Sequence, residues 1–418
     1  MRKLRALSVS FVALSLYSVG AFAQELSLSE AESLTLAADP LSKQFLSNSK
    51  AQEELAIAEG QLPDPMISLG ALNLPTDTFN TDQEAMTQFQ VGITQQIPNF
   101  SALDAKSEIA SALSRVDQAN EATRKLLSLK AVRLSYLEAL YWKKALSILD
   151  DYKDLVEDDI KSVQASYSSG RISAQRVIAA ELASSLLDDR SLDALKNLDV
   201  TKANISKWIG ENANARTLPD DLPALALPLD ELAFLDALTK HPSLKMFNEQ
   251  EEASKKRVKL AEADYAPKFG VGASYGYRED TPMGQERADL VSFKLTMSIP
   301  LFTEKRQDRK LSASKHQAAA ARLRADEQLR ELTQEYRSEI ANYNRTKERL
   351  ENFESQILKR AQDNVSAAIT AYQYEASDFD ELVRARVAEL EARLKHLRLQ
   401  IDSSKSLARL QYLQGETL

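Results

Sequence analysis

Three groups of residues in this sequence have types and spacings that could do chemistry. Gly272-Ala273-Ser274-Tyr275-Gly276 fits G-x-S-x-G, the nucleophile elbow, in which a sharp strand-to-helix turn presents a serine to a general base. Gly270-x-Gly272 is half of a dinucleotide loop, which must open into a helix N-terminus. Glu375, Asp378, Asp380 and Glu381 follow Tyr372 and Tyr374 and precede Arg384 and Arg386. Acids of this kind select for cations when symmetry repeats them around a pore. Bases and metal ligands are otherwise sparse. His241, His316 and His396 lie far apart, there is no cysteine, and there are six methionines. Thiolate metal sites and disulfides are excluded, and no cofactor or metal site is expected.

The elements around these residues decide between the readings. From Pro267 to Pro300 the sequence alternates: Phe269, Val271, Ala273, Tyr275 and Tyr277, then a polar loop, then Val291, Phe293, Leu295, Met297 and Ile299. Period-two alternation of this length predicts two strands, each with one apolar face. Ser274 then lies inside a strand that runs on to Tyr277, and no helix opens after it. It reads as wall rather than nucleophile, and the chain is not expected to be an enzyme.

The chain contains this stretch twice. A shift of 202 residues places Pro40 on Pro242, Pro65 on Pro267 and Pro98 on Pro300. Ile67, Leu69 and Ala71 fall on Phe269, Val271 and Ala273, while Phe89, Val91, Ile93 and Ile97 fall on Val291, Phe293, Leu295 and Ile299. Tyr167 pairs with Tyr372 at a shift of 205. Residues 24–220 and 221–418 therefore read as two structural repeats, with strands near 66–72 and 89–97 in the first and 268–277 and 291–299 in the second. Each repeat is helix, strand, strand, long helix, turn, helix. Predicted helices cover Leu26–Gly60, Ser101–Tyr167 and Ser173–Ile209, then Leu229–Asp264, Thr303–Tyr374 and Phe379–Leu413. The long ones would span roughly 100 Å and the short ones roughly 50 Å. Two short helices end to end thus match one long helix. The expected order continues the helix ending at Ile209 with the one starting at Leu229, and the last helix with the first. Val383, Val387, Leu390, Leu394, Leu397, Ile401, Ser404 and Ala408 follow the 3.5-residue period of a supercoil, as do Leu134, Leu137, Tyr141, Ala145, Ile148, Tyr152 and Leu155.

Composition agrees with long helices: 418 residues carry only 11 Gly and 12 Pro. Arg2, Lys3 and Arg5, the apolar run Ala6–Gly20 and Ala21-Phe22-Ala23 read as a signal peptide over 1–23, cleaved before Gln24. Its loss takes the formal charge from −8 to −11, and this acidic balance argues against nucleic acid as partner. No later run is long and apolar enough for a membrane helix. Without cysteine there is no lipidated N-terminus, so any membrane attachment must come from the fold. Apolar strand faces after a signal peptide, joined by long polar loops near Asn73–Gln88 and Arg278–Asp289, form the outer-membrane barrel pattern. Phe89, Val91, Ile93, Phe269, Val271, Tyr275, Val291, Phe293 and Leu295 are the expected lipid-facing residues. Four strands cannot close, and an open edge cannot sit in lipid. A shared barrel has eight or twelve strands. Eight-stranded interiors fill with side chains, so a conduit favours twelve, and hence a homotrimer.

These features together resemble the TolC-type outer-membrane efflux proteins over the whole mature chain. The resemblance rests on the duplicated halves, Leu62-Pro63-Asp64-Pro65-Met66 leading into the first strand, and Gln95-Gln96-Ile97-Pro98 and Met297-Ser298-Ile299-Pro300-Leu301-Phe302 leading out of the second and fourth. Tyr167-Ser-Ser-Gly170-Arg-Ile-Ser173 matches the family's tyrosine-to-glycine turn; in the second turn Glu375 stands where glycine is usual. The resemblance implies a mainly α fold with a transmembrane β-barrel part: a trimer with a twelve-stranded barrel in the outer membrane of a Gram-negative bacterium and a long α-helical barrel in the periplasm. It also implies partners, a periplasmic adaptor protein and an inner-membrane pump docking at the helical tips. Ser169, Gly170 and Arg171 of the first turn and Ala376 and Ser377 of the second are then docking residues. Tyr372, Tyr374, Glu375, Asp378, Asp380, Glu381 and Arg384 are gate and selectivity residues. The Leu62–Met66 stretch and Leu72-Asn73-Leu74-Pro75 look most like the branch serving metal-ion efflux, with drugs or other small molecules as the alternative cargo. A soluble periplasmic coiled-coil adaptor or scaffold would share the helices but has no use for lipid-facing strands. An exported hydrolase rests on the serine pattern alone.

Overall fold

The computed structural model describes residues 25–210, 216–374 and 376–415. The expected signal peptide over 1–23 and Glu375 lie outside the described residues. In chain order the elements are α1 (Leu28–Ala38), α2 (Pro40–Glu59), β1 (Met66–Leu72), β2 (Gln88–Ile97), α3 (Phe100–Ser168), α4 (Ala174–Ile209), α5 (Glu231–Thr239), α6 (Pro242–Ala263), β3 (Lys268–Tyr277), β4 (Leu290–Ser298), α7 (Gln307–Asn352), a π-helical turn (Phe353–Ile357), α8 (Leu358–Gln373) and α9 (Phe379–Gln414).

Capping residues explain where these helices start and stop. Ser27 opens α1 by accepting from the Glu30 N–H. Asp39 then ends α1 and caps α2, its Oδ1 accepting from the Leu41 N–H at 3.0 Å with Pro40 at the first helical position. His241 caps α6 in the same way before Pro242, accepting at Nδ1 from the Ser243 N–H. The single helices expected over Leu26–Gly60 and Leu229–Asp264 are therefore each two. A proline has no N–H to give and pushes the residue before it out of helical conformation, so both helices break at the matched prolines. The long helix expected over Thr303–Tyr374 starts later, at Gln307, after a turn closed by Arg306 N–H on the Thr303 carbonyl. It is also interrupted by the π turn, whose Glu354 accepts from His396 of α9 at 3.0 Å.

α3 is 69 residues of uninterrupted helix, about 100 Å long. α2, α4, α6 and α9 all pack against it. The end-to-end order differs from the expected one. The C-terminal end of α4 meets α1, and that of α9 meets α5 and the His241 cap of α6. The joints show why. Arg216 pairs with Glu30 through both guanidinium arms at 2.7 Å, and Leu26, Ile209 and Leu218 share one core with Tyr136, whose hydroxyl donates to the Leu26 carbonyl. At the other joint His241 Nε2 lies 3.1 Å from the Tyr412 carbonyl, and Phe234 stacks on Tyr336 with centroids 4.0 Å apart.

The strands form one antiparallel sheet in the order β1-β2-β3-β4. The central pair β2–β3 joins the N-terminal and C-terminal halves of the chain, with Val91 opposite Tyr275 and Ile93 opposite Ala273. β1 and β4 are its edges.

Candidate functional site

Residues directly opposite in an antiparallel ladder share a face. The register therefore sorts the sheet. One face carries the rows Ile67–Ile93–Ala273–Phe293, Leu69–Val91–Tyr275–Val291 and Ile97–Phe269–Met297, with Ala71, Phe89 and Tyr277 in another row and Val271 beside Leu295. Gln95 is the one polar side chain in that set. All nine residues expected to face lipid fall on this face. Its side chains are exposed, with Phe293 at 84% and Leu69 at 80% of their full accessible surface. An exposed apolar patch of this extent marks a surface that meets lipid or another protein.

The opposite face is small and polar: Ser68–Gly92–Ser274–Ser292, Met66–Thr94–Gly272–Lys294, and Gln96–Gly270–Thr296. Ser274 sits in the middle of β3 and its Oγ accepts from Gln90 Nε2 at 2.8 Å. No helix follows it, so the elbow geometry is missing. At Gly276 a Cβ would come within 1.7 Å of Gln88 Oε1, so the glycine leaves room for a side chain from the neighbouring strand. The loops beyond the strands are tied together. Arg287 Nη1 donates to the Asp82 and Glu84 carbonyls at 3.0 and 3.3 Å, and Arg278 Nη1 to the Ala85 carbonyl at 3.0 Å.

At the other end of the molecule lie two helical turns. Between α3 and α4, Gly170 has φ +76°. Its N–H meets the Tyr167 carbonyl at 2.8 Å and the Arg171 N–H meets the Ser166 carbonyl at 3.0 Å, a Schellman motif. Between α8 and α9 the corresponding bond is kept, from the Ala376 N–H to the Ala371 carbonyl at 2.9 Å. Ser169, Gly170, Arg171 and Ala376 are exposed at these tips, and Ser377 is partly so.

The two tips touch. Asp378 accepts from Arg176 of α4 at 2.5 Å, and Phe379 is buried with Val163, Ala180 and Leu382. Tyr372 packs edge-on against Phe379 at 5.8 Å, Ser377 donates to Glu381, and Arg384 lies 3.9 Å from Glu381. Tyr374 and Asp380 stand exposed. Among the described residues of the expected gate, Asp378 and Glu381 have partners within the chain, while Tyr374 and Asp380 are exposed. Arg176 was not singled out by sequence; its only signal is a cation near the start of the helix after the first turn.

Further up, Arg386 holds Asp159 with both arms at 2.6 and 3.3 Å in a partly buried site, and Arg190 meets Glu391 at 2.6 Å. Glu138 of α3 accepts from Arg398 and Lys405 of α9. Burial alone would raise the Glu138 carboxyl, but these two cations outweigh it and hold its pKa below the usual carboxylate value. No group of three or more His, Cys, Asp or Glu among the described residues could hold a metal ion.

A chain with a four-stranded amphipathic sheet at one end and paired helical hairpins at the other has the fold of the TolC-type outer-membrane channels. Its likeness to solved structures is extensive. The outer-membrane channel OprN aligns with TM-score 0.79 and 16% identity over 93% of this chain and 89% of that one. CusC, described through its folding and transmembrane channel formation, aligns with TM-score 0.80 and 15% identity over 96% of each. The outer membrane protein VceC of Vibrio cholerae aligns with TM-score 0.77 and 14% identity over 93% of this chain and 96% of that one. At these identities the likeness is one of fold. No curated protein sequence matches the chain. Residues 235–416 match the family model for the outer membrane efflux protein.

Proposed function

We propose that this chain is the protomer of an outer-membrane exit duct, a passive channel that carries cargo from an inner-membrane pump across the periplasm and the outer membrane. The observation that carries the reading is the sheet: four strands, two edges each with a single neighbour, and one continuous exposed apolar face. In lipid such edges must pair. Three copies supply twelve strands, with the apolar rows turned to lipid and the small polar rows to the lumen. The repeats 24–220 and 221–418 then act as one channel unit, and the α-helical part extends into the periplasm. The exposed tip residues Ser169, Gly170, Arg171, Ala376 and Ser377 take the adaptor, while Tyr372, Tyr374, Glu375, Asp378, Asp380, Glu381 and Arg384 form the constriction. Cargo follows the pump: metal cations by resemblance of the Leu62–Met66 stretch, drugs or other small molecules otherwise. No step of catalysis is needed, since the pump supplies the energy.

Planar-bilayer recording of protein purified from outer membranes tests this reading. Discrete conductance steps are expected. A protein released with the periplasmic fraction that forms no channels would instead match the adaptor alternative.

A further inference from the structure

We propose that Lys294 lines the barrel as a ring of three ammonium groups that attracts anions, so that the duct favours anionic or neutral small molecules over bare divalent cations; this rests on the trimeric conduit proposed above. The four strands contain two charged residues, Lys268 and Lys294, and no acid. Lys268 stands at the first position of β3 and pairs with Asp264 at 3.5 Å. Lys294 is the central residue of β4, on the small polar face opposite Gly272, and has no ion-pair partner among the described residues.

The surroundings leave this charge open to whatever fills the lumen. Its row is Met66–Thr94–Gly272–Lys294, and the rows above and below carry serine, threonine, glycine and Gln96, all uncharged. Twelve strands about 4.8 Å apart and tilted about 40° make a wall about 24 Å across. A lysine on its four-carbon stem reaches about 6 Å inward. Three of them leave most of the opening within about 8 Å of an ammonium, which is one Debye length at physiological salt. Rings of lysine in pores favour anions. The acids at the helical tips do not cancel this field, because they lie at the far end of helices about 100 Å long, and Asp378 and Glu381 are engaged with Arg176, Ser377 and Arg384.

The absence of cysteine makes a direct test practicable. Ser292→Cys places a single thiol on the polar face beside Lys294, and Phe293→Cys places one on the apolar face. In outer-membrane vesicles each is treated from outside with an anionic (sulfonatoethyl) or a cationic (trimethylammonioethyl) methanethiosulfonate. With Lys294 present, the anionic reagent is expected to gain at Ser292→Cys. Its rate relative to the cationic reagent should fall about tenfold in Lys294→Gln and return in Lys294→Arg, which keeps the charge. A ratio unchanged by Lys294→Gln overturns the anion ring while leaving the conduit standing. If Ser292→Cys is inert to both reagents while Phe293→Cys reacts, the assignment of faces fails, and the conduit and the ring fail with it.

Discussion

Asp378 shows how one carboxylate changes meaning with its neighbours. Read along the chain it is one of a run of acids. In the fold it is half of an ion pair with Arg176, a residue about 200 positions away, and it joins the two hairpin tips. The side chains are partly exposed, so the pair itself contributes little to stability, about 1 kcal/mol or less. Its effect should appear in gating. Arg176→Ala is expected to raise resting single-channel conductance several-fold with melting temperature almost unchanged, and Asp378→Ala to do the same without adding to it. Strictly additive effects would mean that the two residues act separately. Gly170 is the second case at this scale. Its φ of +76° lies in the left-handed region, where a β-branched residue costs about 1–2 kcal/mol. Gly170→Val should abolish pump-dependent export while trimers still assemble; loss of assembly would make the turn purely structural.

His241 links residue to element. It is fully buried at the start of α6, bonded to Ser243 and to the Tyr412 carbonyl. Burial is the largest influence and lowers its pKa, with the Lys130 charge acting in the same direction and the Tyr412 hydrogen bond opposing it. Its folded pKa lies below the unfolded value near 6.5, so the native state binds fewer protons. Stability from this site is full above about pH 6.5 and declines as the pH falls below it. Melting temperature should therefore drop between pH 7 and pH 5, and His241→Asn should flatten that part of the profile. The same joint shows what could be read in advance. Alternation and the matched prolines made all four strands legible to within a residue or two, because period two and proline punctuation are local signals. The breaks within Leu26–Gly60 and Leu229–Asp264 fall at two of those same prolines, Pro40 and Pro242. The order of the helix ends was illegible because it depends on which apolar ends meet, through contacts such as Leu26 with Ile209 and His241 with Tyr412. The Arg386–Asp159 clamp was equally hidden, its partners lying on α9 and α3. Arg386→Ala strands a partly buried carboxylate and should cost about 3 kcal/mol in chemical denaturation; a loss below about 0.5 kcal/mol would show that solvent already satisfies Asp159.

At the scale of the molecule, the fold makes sense only with its edges paired. A single chain exposes Phe293, Leu69 and the rest of the apolar face on a sheet whose outer strands each lack a neighbour. In water that arrangement would aggregate; in lipid it must close. In the trimer proposed above, closure would place Lys294 and the small polar rows around one lumen and bring three copies of each hairpin tip together. Mass measurement of the detergent-extracted outer-membrane protein by native mass spectrometry tests this most directly. The expected result is a species of three protomers, from the membrane fraction, that survives dilution. A monomer recovered from the soluble periplasmic fraction would contradict it.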